Sequence, residues 1–271
     1  MNAESPLAGR TVLVTRPQRQ ARRICALIED AGGTALRFPT LEIEGIEPPP
    51  AVFSKQKMPH AFDWIIFISA NAVYFACKAC ENTNFIPGGA KVAAIGRATA
   101  AALQARGIVV DLLPDEAFNS EALLASTKMH SVAGQSVLIV RGRGGREFLA
   151  ETLHQRGAHV MYAEVYQRVR PCVEIESQLA AWRDRGIDAV TIFSGESLDN
   201  FIAMLGEDGT RWLREIPLVV AGRRIAASAV NRGFKQVFPA DNATDWALFE
   251  ALATIFGPDR ARDPNPAAIP E

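Results

Sequence analysis

The sequence predicts two similar α/β domains, each built on a parallel sheet that is flanked by helices. Strand-length apolar runs alternate with segments of helical periodicity along most of the 271 residues. This layout also occurs twice, with a shift of about 125 positions. TVLVTRP at 11–17 aligns with SVLIVRG at 136–142, and DWIIFISANA at 63–72 aligns with DAVTIFSGES at 188–197. A repeat of this length indicates two copies of one supersecondary unit.

Each element follows from a local signal. Short runs rich in β-branched residues predict buried strands, and glycines such as Gly32 and Gly157 close the helices that follow. Ser69 and either Asn119 or Ser120 are suited to helix N-caps. The predicted strands are 11–15, 36–46, 64–68, 92–95, 109–112, 136–140, 160–166, 189–193, 218–221 and 236–239. The predicted helices are 18–31, 72–80, 99–106, 118–127, 148–156, 175–185, 197–205, 225–232 and 245–256.

Composition excludes several classes of protein. No apolar run is long enough for a transmembrane helix, and the first residues lack a secretory pattern, so we expect a cytoplasmic protein without a membrane partner. A net charge of −1 argues against a nucleic-acid partner. Four cysteines predict reduced thiols, and Cys77 and Cys80 are interpreted as packed helical cysteines because no second pair accompanies them. We therefore predict no metal site.

The strand-to-helix turns share one chemistry. In parallel sheets such turns meet at the carboxyl edge, where ligands bind. Here they combine small residues, hydroxyls, arginines and helix N-termini, which suit several carboxylates or phosphates. None contains a Ser-His-Asp set or a dinucleotide fingerprint. These turns are Arg16-Pro17, Ser69-Ala70-Asn71, Gly96-Arg97, Arg141-Gly142 with the following Arg143 to Arg146, Ser194 to Ser197, and Gly222-Arg223.

Tyr166 is an exception within the repeat. Its counterpart in the first copy is Leu41, so the fold does not require a hydroxyl at this position. The hydroxyl of Tyr166 is therefore a candidate for function. The alternative is a strand-end tyrosine with a packed ring and its hydroxyl in water.

Several segments together resemble the uroporphyrinogen-III synthase family. Their order and spacing carry the resemblance, which covers about residues 10–257. One departure is that Ile225 stands where the family often has a threonine after Gly222, whereas the first half keeps Gly96 and Thr99. The segments are VLVTRP, FISANAV at 67–73, AAIGRATAAALQARG at 93–107, VLIVRGRGGRE with EVYQR, IFSGESLDNF at 192–201, and FPADNATDWALFEAL.

The resemblance implies two α/β domains joined by a two-strand connector, with the active site in the cleft between them. It also implies that the chain crosses over. Residues 1–38 and 170–257 would form one domain, 41–167 the other, and 258–271 a disordered tail. The repeat alone suggests a boundary near residue 125 instead.

The implied reaction cyclises hydroxymethylbilane, a linear tetrapyrrole with many carboxylates, by loss of water and inversion of ring D to give uroporphyrinogen III. No metal or cofactor is needed, and the protein is expected to be a monomer. Tyr166 matches the family's candidate acid. The expected substrate-binding residues are Arg16, Ser69, Asn71, Ala72, Gly96, Arg97, Thr99, Arg141, Gly142, Arg146, Ser194, Gly195, Ser197, Gly222 and Arg223.

One alternative from a different class stays open at this stage. A non-catalytic, two-lobed binding module for a polycarboxylate or tetrapyrrole would use the same turns, with Tyr166 as a contact only. Such receptors are usually exported, and no signal peptide is visible here.

Overall fold

The computed structural model describes residues 5–47, 62–80, 86, 89–115 and 117–257. Helices and strands alternate along most of these ranges, as the sequence predicts. The strands are β1 (Thr11–Val14), β2 (Thr34–Arg37), β3 (Glu42–Gly45), β4 (Trp64–Phe67), β5 (Lys91–Ala94), β6 (Ser136–Gly142), β7 (His159–Val169), β8 (Ala189–Ile192), β9 (Leu218–Val220) and β10 (Val237–Pro239). The helices are α1 (Arg22–Asp30), α2 (Ala70–Ala79), α3 (Arg97–Gln104), α4 (Ser120–Ala125), α5 (Thr127–His130), α6 (Phe148–Gln155), α7 (Ile175–Arg185), α8 (Gly195–Leu213), α9 (Arg223–Asn231) and α10 (Asp245–Phe256).

The strands form two sheets. Sheet 1 has the order β10-β9-β8-β1-β2, and all of its neighbours pair in parallel. Sheet 2 has the order β3-β7-β6-β4-β5, in which β7, β6, β4 and β5 pair in parallel. The predicted parallel α/β class is therefore confirmed.

The two sheets repeat one strand order. In sheet 1 the order β2-β1-β8-β9-β10 matches β7-β6-β4-β5 of sheet 2, followed by a single parallel bridge between Ala93 and Leu112. That bridge stands where β10 stands in sheet 1, so the predicted strand at 109–112 is reduced to one residue pair. The internal repeat seen in the sequence is thus a repeat of the fold.

The chain divides into two compact units. Unit 1 contains Met1–Glu42 and Val169–Glu271, and unit 2 contains Ile43–Arg168. The boundary that the repeat suggests near residue 125 is wrong, because β1 from the first copy pairs with β8 from the second, with Val12 beside Ala189. The crossover bounds implied by the family resemblance lie within a few residues of these units.

Each sheet is covered by helices on both faces because its inner strands are apolar on both sides. On β1, Leu13 faces the cluster with α7, α8 and α9, whereas Val12 and Val14 face the cluster with α1 and α10. In sheet 2, Ile65 packs toward α2 and α3, whereas Ile66 packs toward α4, α5 and α6. This alternation is the period-two pattern of a strand buried on both faces.

Some predicted elements differ in extent. Residues 17–20 form a turn, with Gln20 N–H bonded to Pro17 O at 2.8 Å, so helix α1 begins later than predicted. The predicted extended segment 36–46 is divided between β2 and β3, which belong to different sheets. Helix α8 continues to Leu213 through a kink at Gly206, whose φ of 66° is outside the helical range. The predicted disordered tail at 258–271 lies outside the described residues.

Candidate functional site

The carboxyl edges of the two sheets carry most of the predicted site residues. In sheet 1, Arg16 follows β1 and Gly222 follows β9. In sheet 2, Ser69 follows β4, Gly96 follows β5, and Tyr166 lies near the end of β7. Because the strands are parallel, residues that follow them meet at one edge of their sheet. The sequence therefore placed these candidates correctly at strand ends.

Tyr166 has its ring and its hydroxyl fixed by different neighbours. The side chain is 5% exposed, and its ring stacks on Phe75 with a centroid distance of 5.8 Å. Its hydroxyl lies 3.1 Å from Oγ of Ser69. The hydroxyl is therefore not left in water, as the alternative interpretation had it, but is held at a helix N-terminus.

Gly142 makes room for the Tyr166 ring. The two residues pair across β6 and β7, just after an irregularity in the register at Arg141 and Gly142. A Cβ atom at position 142 would lie 2.5 Å from Cε2 of Tyr166. Only a glycine permits this approach, so Gly142 positions the tyrosine rather than merely forming a turn. Arg141 and Gly142 were predicted as a turn, but they extend β6, because the ladder with β7 continues to Tyr166.

Ser69 caps helix α2, as predicted. Its Oγ accepts a hydrogen bond from the Ala72 N–H at 3.0 Å. One lone pair of the serine oxygen is occupied by this bond, but the serine hydroxyl proton remains available for Tyr166. The Ala72 amide is used by the cap and the Ala72 side chain is fully buried, so this residue is not free to bind a ligand.

Arg97 and Arg223 occupy equivalent positions in the two units. Each is the first residue of a helix, each follows a glycine N-cap, and both side chains are exposed. A cation at a helix N-terminus faces the positive end of the helix dipole, which is unfavourable without an anion. Within the described ranges neither guanidinium forms an ion pair. These two guanidiniums are therefore exposed and not compensated by a carboxylate of the described residues.

The arginines of the turn at 141–146 are already neutralised. Arg146 pairs with Glu121 on α4 at 2.7 Å, and Arg143 lies 3.7 Å from a carboxylate oxygen of Glu164 on β7. The Gly144 N–H also donates to Glu164, at 3.3 Å. The sequence suggested a strongly basic anion site here, whereas the fold supplies acidic partners from other elements.

Arg141, near the end of β6, stabilises the loop that follows the strand. Its side chain is 3% exposed and pairs with Glu147 at 3.0 Å. Its guanidinium also donates to the carbonyls of Gly142 and Gly144, and it lies 4.6 Å from the ring centroid of Tyr162. The expectation that Arg141 contacts substrate is not favoured by this geometry, because the guanidinium is buried and engaged.

Tyr162 and Glu147 complete the network around Arg141, and the sequence analysis missed both. The Tyr162 hydroxyl donates to the Glu147 carboxylate. Burial, followed by this carboxylate, raises the pKa of Tyr162 to about 12. The hydrogen bond from Tyr162 is the largest cause that lowers the pKa of Glu147. No local pattern joins these two residues, because Tyr162 lies on β7 and Glu147 precedes α6, 15 residues away in the chain.

Arg16 is held in unit 1. It pairs with Asp245, the first residue of α10, at 2.8 Å, and its guanidinium lies 4.4 Å from the ring centroid of Phe193. The Nε atom of Arg16 is buried and has no hydrogen-bond partner. Arg16 is therefore oriented, but part of its charge is already compensated.

Ser197 points into the interior of unit 1. It is 4% exposed, and its Oγ lies 2.8 Å from Oγ of Thr40 and 3.1 Å from Oγ of Thr15. Its N–H donates to Ser194 Oγ, which caps α8. Direct substrate contact by the Ser197 side chain is not favoured, because its hydroxyl belongs to a buried cluster. Ser194 and Gly195, by contrast, are half-buried at the edge of sheet 1.

The remaining candidates separate by burial. Asn71 is half-buried in the first turn of α2, whereas the side chain of Thr99 is 3% exposed inside α3.

Cys77 is buried and Cys80 half-buried, and burial together with Cys77 raises the pKa of Cys80 to about 11. A thiol with a raised pKa is protonated and unreactive, as expected for packed helical cysteines.

A separate cavity of about 450 Å³ lies at the opposite end of sheet 2, where β4 and β5 begin. It is lined by Trp64, Lys91, Asp111, Thr127, Lys128, Ser131 and Gln135. None of these residues is a site candidate, so the cavity is distinct from the carboxyl edge.

In the part of the chain that is described, none of the helices is both long and apolar enough to cross a bilayer.

Comparisons with known proteins agree on one family. A family model described as Uroporphyrinogen-III synthase HemD matches residues 22–250. The uroporphyrinogen-III synthase of Salmonella typhimurium is 31% identical over 244 residues, which cover 89% of this chain and 99% of that protein. The enzyme of Synechococcus elongatus is also 31% identical, over 79% of this chain and 82% of its own length.

A solved structure supports the fold. The crystal structure of uroporphyrinogen-III synthetase from Helicobacter pylori matches with a TM-score of 0.61 at 16% identity, covering 91% of this chain and 99% of that one. At this identity the likeness concerns the fold alone. The sequence matches extend over nearly the whole chain, and with the strand-end site they show that the chain belongs to the uroporphyrinogen-III synthase family.

Proposed function

We propose that this chain cyclises hydroxymethylbilane to uroporphyrinogen III, with loss of water and inversion of ring D, and that Tyr166 is the acid. The observation that carries the proposal is the fixed position of the Tyr166 hydroxyl, 3.1 Å from Ser69 Oγ at the carboxyl edge of sheet 2. An acid must be held within hydrogen-bond reach of the group that leaves.

The hydrogen-bond pattern leaves the tyrosine proton available. Ser69 Oγ accepts the Ala72 N–H, so the serine hydroxyl can donate to the oxygen of Tyr166. Tyr166 then donates its own proton toward the departing hydroxyl. The C–O bond of the substrate breaks, the electron pair leaves with oxygen, and the proton from Tyr166 completes a water molecule.

The proton balance closes within the reaction. Ring closure through a spiro intermediate ends with loss of a proton from a ring carbon, and that proton restores the tyrosine. The reaction thus needs no oxidant, reductant or metal beyond the substrate. The remaining contribution of the protein is to orient the substrate, since ring inversion requires the chain of pyrroles to be folded so that the correct carbon attacks.

The carboxylates of the substrate bind to groups that the fold leaves uncommitted. Arg97 and Arg223 provide exposed guanidiniums at helix N-termini. Charge-assisted hydrogen bonds and helix N-terminal amides together favour carboxylates. Arg146 and Arg16 contribute more weakly because Glu121 and Asp245 already compensate them. Among the hydroxyl and amide candidates, Ser194, Gly195, Gly222 and Asn71 are half-buried at the N-termini of helices that follow strands.

The test is an isomer-resolved assay. Purified protein is incubated with hydroxymethylbilane, and the oxidised products are separated into the inverted and uninverted isomers. We expect the inverted isomer to dominate with the protein and the uninverted isomer to dominate without it. A protein that binds the tetrapyrrole but leaves the isomer ratio at its spontaneous value would instead be a binding module.

The proposal extends to the setting of the enzyme. We infer a monomer in the cytoplasm whose partner is the small-molecule substrate, without nucleic acid or membrane. A net charge of −1 supports the exclusion of nucleic acid. Sedimentation at several protein concentrations checks the monomeric state.

A further inference from the structure

We propose that Phe118 is a positioning residue, which holds the guanidinium of Arg97 in place for a substrate carboxylate. This inference rests on the proposed function. The sequence analysis assigned no role to Phe118, which directly precedes the Asn119 N-cap of α4. The structure places its ring below the guanidinium of Arg97, with 5.0 Å between the arginine Cζ and the ring centroid.

Phe118 is a large apolar side chain that the fold leaves 43% exposed. Its own backbone is fixed on one side by the Asn119 cap, where Asn119 Oδ1 accepts the Ala122 N–H at 2.8 Å. On the other side it packs on the N-terminus of α3. A Cβ atom at Gly96 would lie 3.1 Å from the Phe118 Cβ. Gly96 therefore lets Phe118 sit against the turn that carries Arg97.

Arg97 itself needs such support. Its neighbours in the helix provide no carboxylate, and it forms no ion pair among the described residues. An arginine stacked on an aromatic ring keeps its in-plane N–H groups free for a carboxylate. Stacking also reduces the rotamer freedom that the side chain would otherwise lose when substrate binds.

Each of the other predicted site arginines lacks one part of this arrangement. Arg16, Arg141 and Arg146 also lie over rings, those of Phe193, Tyr162 and Phe148, but all three are ion-paired. Arg223 is not ion-paired, but it has no cation–π contact among the described residues either. Arg97 combines an aromatic support with an uncommitted charge. This combination identifies Phe118 as part of a carboxylate-binding unit and not only a surface residue.

The experiment compares Phe118→Leu with Phe118→Tyr in steady-state assays with hydroxymethylbilane. Leucine keeps an apolar contact with Gly96 but removes the ring face, whereas tyrosine keeps the ring. We expect Phe118→Leu to raise KM about two- to five-fold with kcat nearly unchanged, which is the size of an exposed cation–π contact. Phe118→Tyr should restore the wild-type KM.

A double-mutant cycle tests whether Phe118 acts through Arg97. Phe118→Leu should have no further effect on KM in the Arg97→Ala background. Phe256→Leu is the matched control, because Phe256 lies 4.9 Å below Arg10, which precedes β1 at the other end of sheet 1. This control should leave KM unchanged. Thermal melts of each variant verify folding.

The outcomes separate this inference from the proposed function. If the wild type forms no excess of inverted isomer, the proposed function fails. If the wild type is active but Phe118→Leu keeps the wild-type KM, or raises it equally in the Arg97→Ala background, then Phe118 does not position Arg97. A loss of folding in Phe118→Leu leaves the cycle measurable with Phe118→Met, which also lacks a ring.

Discussion

The hydroxyl of Tyr166 and the Oγ of Ser69 lie 3.1 Å apart, although 97 residues separate them in the chain. One is at the end of β7 and the other caps α2. The fold thus joins a candidate acid to the N-terminus of a helix. Leu41, the counterpart of Tyr166 in the repeat, has no hydroxyl that could make such a contact.

Removal of the hydroxyl in Tyr166→Phe should lower the rate while preserving the fold. The ring still stacks on Phe75, so the melting temperature should change little. General acid catalysis contributes about 10²–10⁴-fold, and we expect the low end because the Ser69 hydroxyl, 3.1 Å from that of Tyr166, remains as a hydrogen-bond donor. The assay should show less inverted and more uninverted product.

The control for this variant is Leu41→Ala, at the repeat-related position. It should lower stability by lost packing and leave the activity of each folded molecule unchanged. If Tyr166→Phe keeps both the wild-type rate and the isomer ratio, then Tyr166 is a contact and another group is the acid.

Gly142→Ala should displace the tyrosine ring. The new Cβ would lie 2.5 Å from Cε2 of Tyr166, a distance that forces a shift. Overpacking of this kind destabilises a core by about 1–3 kcal/mol, and the displaced hydroxyl should also lower activity. Circular dichroism melts and the isomer assay measure the two effects.

The double variant Gly142→Ala with Tyr166→Ala separates these effects. The double variant lacks the ring that clashes with the new Cβ atom. Its loss of stability should therefore be smaller than the sum of the losses in the two single variants, while its activity stays low. Wild-type activity in Gly142→Ala alone would show that the ring position is not critical.

Arg141→Ala and Arg146→Ala should differ in kind. Arg141 is buried and donates to two carbonyls of its own turn, so its loss should destabilise the protein by about 1–3 kcal/mol. Arg146 is exposed, so its loss should leave stability nearly unchanged and raise KM modestly. Equal melting temperatures for the two variants would contradict this assignment.

The Tyr162–Glu147 contact should make stability depend on pH in the acid range. The pKa of Glu147 is lowered in the folded protein, so the contact stabilises the fold above the ordinary carboxyl pKa. This stability is lost as the pH falls through the lowered value. The difference in unfolding free energy between wild type and Tyr162→Phe should therefore be constant between about pH 5 and about pH 9 and shrink toward about pH 3. It should also shrink above about pH 10, because the pKa of Tyr162 is raised to about 12 in the folded protein. A difference that grows on acidification would have the wrong sign.

Local signals accounted for most of the fold and for the location of the candidate residues near strand ends. Ser69 and Asn119 cap helices as predicted because an N-cap depends on the residues that follow it directly. Helix α7 and helix α10 also have their predicted bounds, 175–185 and 245–256. The ion pairing of the arginines in the loop after β6 was not predicted. Arg146 meets Glu121 only because packing brings α4 close to this loop.

The sequence by itself determined the alternation of strands and helices, the internal repeat, and the turns that follow the strands. Each of these depends on residues close together in the chain. Only the tertiary structure decided that β1 joins β8, and that Arg97 and Arg223 remain uncommitted while Arg141 is buried. Strand pairing and ion pairing depend on which side chains are brought together across the sheet, and periodicity along the chain does not contain that information.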